Sequence, residues 1–354
     1  MVKFFSNIEV NKKDVQDLKE LIPLSIDQDE DFQKFINLKK VNNGDPVAFL
    51  GDMDDVGVQG SGCDPTYQEV GIANSQKRWE LGDWQIPIKI CYEALQGTIA
   101  EYTLKKGTEV GDLTTTEFMT YILRPALERQ MKRMIWRFGW FGDKNAKING
   151  SGGVLTTGAK TELFTTCEGL FKRIFTQCAS SAAQLTKIAA NEEETFTAQK
   201  AAILKDGVAT GIMDNLLMDA DSRITADPNA VVLMTKNFAD ALTLDVKKTY
   251  KTIMPWEKVF DGVDMVKYDG VTIARVSIWD RMIRAYENTG TKLNKPFRLI
   301  YANTNTQLQV ATNADSLISD LDIWFDQKER RNYIYSTGKI GTQILENDMF
   351  QAAY

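Results

Sequence analysis

A short glycine-rich stretch of the sequence has residue types that bind phosphate in other proteins. Residues 153–161 read Gly-Val-Leu-Thr-Thr-Gly-Ala-Lys-Thr and are similar to a P-loop. In a P-loop the lysine directly follows the second glycine, so that its ammonium reaches the phosphates held by the loop amides. Here Ala159 separates Gly158 from Lys160, and the preceding residues do not have the pattern of a buried strand. A flexible connection is the favoured interpretation, and a nucleotide site is the alternative.

Two acidic stretches have residue types that bind metal ions. Asp52, Asp54 and Asp55 imitate the start of a calcium-binding loop, but the twelfth position, which requires a glutamate, is Cys63. A solvated acidic turn is therefore favoured. The three consecutive glutamates at 192–194 are typical of an exposed helix start, where acidic groups face the positive end of the helix dipole.

The composition excludes many kinds of enzyme, because the 354 residues include no histidine. Ser-His-Asp triads, Cys-His dyads and histidine-ligated zinc sites all require the imidazole ring. The four cysteines, Cys63, Cys91, Cys167 and Cys178, form no C-x-x-C pair and are predicted to be small buried residues of a reducing compartment. Because each candidate motif above is incomplete, we predict no catalytic residues, no cofactor and no metal, and the lack of histidine is consistent with a chain that is not an enzyme.

Length and charge limit the remaining classes of protein. A chain of 354 residues corresponds to about two domains. The net charge of −6 argues against a protein that mainly coats nucleic acid. The N-terminus lacks the apolar segment of a signal peptide, and the longest purely aliphatic run covers only residues 230–234. We expect a soluble protein of cytoplasmic origin that does not interact with membranes.

The clearest predicted element is a long helix over residues 114–141. Thr114 and Glu117 have the spacing of a capping box at the helix start, and Pro125 is expected to kink the helix. One face is apolar, as in a helix packed on a core. The opposite face carries the cations Arg124, Arg129, Lys132, Arg133 and Arg137. We predict ion pairs within or between subunits for Arg133 and Arg137, and direct contact with polynucleotide phosphates is the alternative.

An alternating segment precedes this helix. Ile86, Ile88 and Ile90 alternate with polar residues or Pro87, which predicts a strand. Because proline cannot donate a backbone hydrogen bond, we expect this strand to lie at a sheet edge or to pack against something outside its own sheet. A lone hairpin cannot bury large aromatic side chains, so Trp79 and Trp84 are predicted to anchor another subunit. Leu81, Ile86 and Ile88 complete this predicted interface.

The N-terminal and C-terminal parts have different patterns. The first 46 residues are charge-rich, with Val15, Leu18 and Ile22 at helical spacing, and are predicted to be an arm with little core of its own. Residues 230–234 predict a buried strand, followed by a helix that starts at Thr235. Asp269-Gly270 predicts a hairpin, and the last 60 residues have mainly strand patterns.

In this order the parts resemble the major capsid protein of tailed bacteriophages. The resemblance covers nearly the whole chain. It rests on the segment GDMDDVGVQGSGCDPTYQEVGIANSQKRWELGDWQIPIKICYEAL, on the helix ending WRFGWFGD, on NAVVLMTKNFADAL with the hairpin VDMVKYDGVTIARVSIWDRMI, and on the closing strands from Arg298 to Tyr354. It implies an α+β fold with an N-terminal arm at 1–46, an extended loop at 47–92, a peripheral domain with a spine helix at 93–150, an axial domain at 151–294 and closing peripheral strands at 295–354.

The resemblance also implies a function in assembly. Hexamers and pentamers of the chain would form an icosahedral head around double-stranded DNA, while arms and extended loops overlap neighbouring subunits. The implied partners are other copies of the chain, a scaffolding protein, a portal and cement or head-auxiliary proteins, with non-specific contact to packaged DNA. The implied location is the virion, after assembly in the host bacterial cytoplasm. The interface residues implied are Trp79, Leu81, Trp84, Ile86 and Ile88 in the loop, Val15, Leu18 and Ile22 in the arm, and Arg133 and Arg137 on the spine helix.

Two alternatives and one departure accompany this resemblance. An encapsulin-like compartment has the same fold, and an enzyme that depends on a nucleotide or metal is the alternative from another class. The short arm makes an internal scaffolding domain unexpected. Some members of the family form covalent bonds between a loop lysine and a peripheral asparagine, and Lys77 and Asn332 match these partners only in residue type and general location.

Overall fold

The computed structural model describes residues 2–3, 9–10, 12–47, 77–91, 124–260, 262–329 and 331–354. The α-helices in these residues are α1 (Lys12–Asp27), α2 (Glu30–Gln33), α3 (Arg124–Phe141), α4 (Leu170–Ser180), α5 (Phe196–Ile203), α6 (Val208–Met218), α7 (Ser222–Thr225), α8 (Lys236–Tyr250) and α9 (Ser277–Tyr286). The strands are β1 (Val2–Lys3), β2 (Glu9–Val10), β3 (Asn37–Val41), β4 (Pro46–Val47), β5 (Lys77–Arg78), β6 (Gly82–Cys91), β7 (Leu185–Thr186), β8 (Ala230–Thr235), β9 (Glu257–Phe260), β10 (Val263–Tyr268), β11 (Val271–Val276), β12 (Leu299–Asn303), β13 (Leu308–Asn313), β14 (Asp320–Asp326), β15 (Arg331–Ile344) and β16 (Phe350–Ala353).

Two sheets organise these elements. A seven-stranded mixed sheet has the order β7-β16-β12-β8-β11-β10-β9. A five-stranded sheet has the order β14-β15-β13-β3, with β6 also paired to β15. The predicted α+β fold class is confirmed, because most strand pairs are antiparallel and helices pack on the sheets.

The central strand β8 shows why its sequence is apolar throughout. Leu233 contributes to a hydrophobic cluster that also includes α3 and α9, whereas Val232 and Met234 contribute to a second cluster with α6 and α8. A strand that is covered on both faces has no solvent-facing positions, so its sequence is a continuous apolar run. The predicted strand at 230–234 and the helix that follows it are both confirmed.

The predicted spine helix is confirmed over Arg124–Phe141. Its apolar face is buried, and Trp136 and Trp140 are almost completely excluded from solvent. The helix contacts α1, α4 and β15, which places it at the junction of the arm and the five-stranded sheet. Thr114 and Glu117, which predicted a capping box, lie outside the described residues.

The described residues of the arm have no core separate from the rest of the chain, in line with the prediction, but their apolar side chains are buried against it. Leu18, Ile22 and Ile26 each expose 4% or less of their surface and belong to the same cluster as the spine helix. In addition, β3 pairs in parallel with β13, near the other end of the chain. The partners that bury the arm lie more than 100 positions away along the chain, so no local pattern could reveal them.

The predicted hairpin at Asp269-Gly270 is confirmed. Strands β10 and β11 pair from Tyr268↔Val271 to Val263↔Val276. Asp269 and Gly270 have φ values of 47° and 79°, the left-handed geometry that a two-residue hairpin turn requires.

The closing segment is divided between the two sheets, which corrects its assignment to the peripheral domain alone. Strands β12 and β16 pair with each other, and β12 also pairs with β8 in the seven-stranded sheet. Strands β13, β14 and β15 belong to the five-stranded sheet. The last 60 residues therefore tie both sheets together, and the division predicted at residue 295 is not a boundary between separate cores.

The two cysteines whose side chains the structure describes, Cys167 and Cys178, are free and buried, as predicted. Burial raises the pKa of the Cys167 thiol to about 12 and that of the Cys178 thiol to about 11, so both remain protonated at neutral pH. Among the helices in the described residues, none has the length and apolar character needed to cross a lipid bilayer.

Candidate functional site

The strand of the extended loop, β6, lies at a sheet edge. It pairs antiparallel with β15 from Gly82↔Ile340 to Cys91↔Arg331, and within the described residues it has no second strand partner. Pro87 lies opposite Tyr335 in this ladder. Since proline cannot donate a backbone hydrogen bond, it is tolerated here because the strand is an edge, as predicted.

The prediction that Trp79 and Trp84 need another subunit for their burial is wrong. Trp79 exposes 4% of its surface and packs with Val47 and Ala311. Trp84 exposes 3% and lies against Gly338, where an added Cβ would overlap with the indole ring. The hairpin does not bury these rings alone, because β13 and β15 of the same chain complete their surroundings.

The remaining predicted loop residues retain surface for a neighbour. Leu81, Ile86 and Ile88 are half-buried and pack against the hydrophobic clusters of their own chain. Between the two isoleucines, Pro87 points to solvent. With no second strand beside it in the described ranges, the outer edge of β6 has partly exposed apolar side chains, which is the surface that another strand or loop could cover.

The predicted arm residues lie on the spine helix of their own chain. Leu18 and Ile22 are buried in the cluster that includes the spine helix, with which α1 is in contact, while Val15 lies in the same helix with a side chain outside the described set. By contrast, Leu21 and Leu24 expose 38% and 48% of their surface. The exposed face of the arm helix, rather than the face predicted, is available to a neighbour.

Much of the basic face of the spine helix is used within the chain. Arg124 forms an ion pair with Glu128 at 3.0 Å, and Lys132 forms one with Asp29 of the arm. Arg129 donates through Nε to the carbonyl of Pro125 at 3.1 Å. These contacts leave less free positive charge for nucleic acid than the sequence pattern alone indicates.

The two arginines predicted to form ion pairs differ from each other. Arg137 donates through Nε to the carbonyl of Leu163 at 2.9 Å, and its burial lowers the pKa of the guanidinium. It has no carboxylate partner among the described residues, so an ion pair of Arg137 stays a prediction for the contact between subunits. Arg133 is exposed, and no ion pair involves it in the described part of the chain. Of the two, Arg133 is the residue that is more accessible to a neighbouring subunit.

Lys77 is held by its own chain. Its Nζ atom donates to the carbonyls of Ile344 and Leu345 at 2.7 and 2.9 Å, and to the side chain of Asn347 at 2.7 Å. Burial lowers the pKa of this ammonium. Asn332 lies in β15 opposite Ile90 of β6, and its side chain is outside the described set. The lysine at this position joins the base of the loop to the end of β15.

The glycine-rich stretch is not a P-loop. An added Cβ at Gly153 would overlap with the carbonyl of Lys147, so the loop packs closely on its own backbone. A P-loop leads directly into a helix whose N-terminus faces the phosphates. Here the stretch leads into the single 3-10 turn Thr161–Leu163, and the next α-helix begins at Leu170.

The acidic stretches provide no metal centre in the described residues. The three glutamates at 192–194 are exposed and precede helix α5, whose start is capped by the Thr195 hydroxyl accepting from the amide of Ala198 at 3.2 Å. No group of three or more Asp, Glu or Cys side chains in the described ranges is placed to hold an ion. Asp52, Asp54 and Asp55 lie outside those ranges.

Two exposed apolar surfaces near helix α8 were missed by sequence reasoning. Met218 and Tyr250 expose 81% and 62% of their surface and line one recess, while Phe196 and Leu244 expose 38% and 48% and line another. Single apolar residues on a surface are common, so their positions in the sequence gave no signal. Only the fold shows that they gather into two separate surfaces.

Two carboxylates hold helix α8 in place. Asp280 of α9 accepts hydrogen bonds from the amides of Lys236 and Asn237 at 2.5 and 3.0 Å. Thr235, which was predicted to start this helix, makes no side-chain cap, so Asp280 takes the capping role. Asp245 accepts from the amide of Gly207 at 2.8 Å. Burial opposes ionisation of Asp245, but its hydrogen bonds outweigh that effect and lower its pKa.

Comparisons of the sequence find no relative. No known protein family matches the chain, and no curated protein matches it significantly.

Comparisons of the structure give the fold. A chain of the satellite phage P4 procapsid including the size determination (Sid) protein aligns with 13% identity and a TM-score of 0.53, covering 94% of this chain and 98% of that chain. A chain of Mycobacterium phage Ogopogo aligns with 10% identity and a TM-score of 0.49 over 91% and 90% of the two chains. The holo-SrpI encapsulin complex from Synechococcus elongatus aligns with 9% identity and a TM-score of 0.46 over 90% and 85%. The first likeness shows that the chain has the phage major capsid protein fold, and the predicted fold is confirmed.

Proposed function

We propose that the chain is the major capsid protein of a tailed phage, which assembles with copies of itself into an icosahedral head of hexamers and pentamers around double-stranded DNA. The observation that carries the proposal is the structural likeness to the procapsid chain, with a TM-score of 0.53 over 94% of this chain. A shared fold does not fix a function by itself. The surfaces of this chain supply the second line of support.

Those surfaces suit a protein that makes several modest contacts at once. The outer edge of β6 has half-buried Leu81, Ile86 and Ile88, the arm helix exposes Leu24, and Arg133 is accessible on the spine helix. Each contact alone is small. When a subunit engages several neighbours together, the contacts add as linked binding events and a shell becomes stable.

The proposed partners follow from the same assembly. They are further copies of the chain, a scaffolding protein, a portal and head-auxiliary proteins, and the proposed location is the virion capsid after assembly in the bacterial cytoplasm. Contact with packaged DNA is proposed to be non-specific. This is consistent with a spine helix whose basic side chains Arg124 and Lys132 already pair with carboxylates of the same chain.

Electron microscopy of the purified full-length protein, combined with nuclease digestion, tests the proposal. We expect closed shells of tens of nanometres, and in infected or producing cells we expect nuclease-protected DNA inside them. Shells that enclose a protein cargo and no DNA would replace the phage head with an encapsulin-like compartment. A protein that stays monomeric at every concentration when purified, and that forms no shells in infected or producing cells, would overturn both.

A further inference from the structure

We infer that two surfaces at opposite parts of helix α8 form the two halves of one head-to-tail contact between copies of the chain. The inference deepens the proposed self-assembly and rests on it. The first surface, the α8 groove, lies between α5, the first half of α8 and residues 288–297. The second, the tip patch, consists of Leu217, Met218, Tyr250 and Tyr268.

The α8 groove is a cavity of about 660 Å³ lined by apolar side chains together with charged and amide groups. Its floor includes Ile203 and Phe297, which are buried, and its rim includes Phe196 and Leu244, which expose 38% and 48% of their surface. The volume is within the range of about 300 to 1,000 Å³ that is usual for binding sites. The groove is therefore large enough to receive apolar side chains from outside.

The tip patch has the side chains that such a groove would receive. Met218 and Tyr250 are exposed by 81% and 62%, two of the three highest values among the large apolar residues that are described. Exposed apolar clusters of this kind commonly mark protein contacts. Met218 is flexible and unbranched, so it can adapt to the shape of a cavity.

The charges around the two surfaces are complementary. The groove is lined by Lys200, Lys236 and Arg284, of which Lys236 forms an ion pair with Asp240 in the same lining. Among the described residues, the charged side chains that line the recess of the tip patch are two acids, Asp214 and Asp269. Opposite charges on facing surfaces favour this pairing over the approach of two like surfaces.

The tip patch cannot fill the groove of its own chain. The groove includes Lys236 to Leu244 of α8, whereas Tyr250 is the last residue of that helix. At about 1.5 Å per residue, Asp240 and Tyr250 are separated by about 15 Å along a rigid helix. Only another copy can bring a tip patch to a groove. Because the two surfaces differ, each copy can bind one neighbour through its groove and a second neighbour through its tip patch. Such a head-to-tail contact produces a closed ring when the rotation between successive copies adds up to a full turn.

Cysteine cross-linking tests which surfaces meet. The double variant Met218→Cys/Leu244→Cys places one thiol in each surface, at positions that are exposed and tolerate substitution. Under mild oxidation of the full-length protein, we expect a ladder of dimers, trimers and larger species that ends at the ring size. Neither single variant should form more than the background seen with the native cysteines. Strong dimers from Met218→Cys alone would show patch-to-patch contact and overturn the inference, as would a double variant without a ladder.

Charge reversal gives an independent test. Lys200→Glu in the groove and Asp214→Lys in the tip patch should each raise the protein concentration needed for assembly about tenfold. The chain with both changes should regain assembly, because each altered groove then meets an altered patch. Additive losses without rescue would contradict the inference.

The same experiments separate this inference from the proposed function. If the wild-type protein builds shells but gives neither ladder nor rescue, self-assembly stands and the groove contact fails. Native mass spectrometry tests whether a small molecule occupies the groove instead. If such a molecule copurifies with the wild-type protein and is lost in Leu244→Glu, and if no cross-linked ladder forms, the groove is a ligand site and the inference is overturned.

Discussion

Asp280 shows how one buried carboxylate orients a helix that carries two exposed surfaces. It accepts from two amides at the start of α8 although it belongs to α9. Burial, the largest influence, raises its pKa to about 6, while the two amides and nearby cations act in the opposite direction. The carboxylate is thus retained for its hydrogen bonds despite the cost of removing its charge from water.

The first prediction concerns the capping bonds of Asp280. Asp280→Ala should lower the free energy of unfolding by about 1 to 2 kcal/mol, because the amides at the start of α8 lose their acceptor. Chemical denaturation monitored by circular dichroism measures this change. The exposed Asp315→Ala serves as the control and should change stability little, because no hydrogen bond or ion pair of the Asp315 side chain is seen in the described part of the chain.

The second prediction concerns pH. Since the folded pKa of Asp280 is raised to about 6, above the reference value of 3.8, the protonated form is favoured in the folded state. Its stabilising contribution is complete below about pH 4 and is lost as pH rises through about 6. The stability of the wild type relative to Asp280→Asn should therefore fall between pH 4 and pH 7. Denaturation series for both proteins check this, and a relative stability that rises over that interval would contradict it.

The third prediction concerns the contact between Trp84 and Gly338. A Cβ at Gly338 would overlap with the indole of Trp84 and the carbonyl of Leu317, so Gly338→Ala should destabilise the protein by about 2 to 3 kcal/mol. Gly211→Ala is the matched control, because that helical glycine has open space around its Cβ position. The control should be neutral or stabilising by up to about 1 kcal/mol. Equal effects of the two changes on the melting temperature would contradict the packing described.

At the scale of elements, local sequence patterns predicted the strand β6 but not its partner. The alternation of Ile86 and Ile88 with polar residues gave the strand, and Pro87 gave its position at an edge. Its partner β15 lies about 250 positions further along the chain, and no periodicity reports a contact at that distance. The same limit explains why the burial of Trp84 was wrongly assigned to another subunit.

The fourth prediction uses the arm helix. Ile22 is 1% exposed and packs in the cluster of the spine helix, so Ile22→Ala should cost about 2 to 4 kcal/mol of stability. Leu24 is 48% exposed, so Leu24→Ala should leave stability nearly unchanged and weaken assembly. Thermal unfolding and sedimentation measure the two properties. If both variants lost stability equally, the assignment of the two helix faces would be wrong.

The fifth prediction uses the loop between β4 and β5. Val47 pairs with Lys77, so the two ends of residues 48–76 are adjacent and an Asn-Gly turn can replace the segment. We expect the shortened chain to fold and stay soluble, since Trp79 and Trp84 keep their partners, but not to form closed shells. A chain with a Gly/Ser segment of equal length separates the effect of sequence from that of length. Shells of wild-type stability from both variants would show that the segment has no role in assembly.

At the scale of the whole molecule, the two sheets are joined by the closing strands and by one continuous hydrophobic cluster. The order of elements along the sequence was enough to predict the capsid fold. The division of residues 295–354 between both sheets was not predictable, because all of these strands have similar patterns and only their pairing distinguishes them. The α8 groove and the tip patch were equally hidden, since each combines residues from several elements.

The net charge also acts on the whole molecule. A charge of −6 per chain, repeated over many copies, opposes close packing of subunits. Contacts between copies therefore have to be strong locally. A groove lined by Lys200 and Arg284 facing a patch with Asp214 and Asp269 places attraction at the point of contact within a surface that is otherwise repulsive.

Electron microscopy of the purified full-length protein at increasing concentration tests most directly whether the chain is a shell subunit. Closed, uniform particles of tens of nanometres, which disappear when the loop segment 48–76 is replaced by the Asn-Gly turn, are the predicted result. A protein that remains a folded monomer under all conditions, in the presence and absence of DNA, would contradict it.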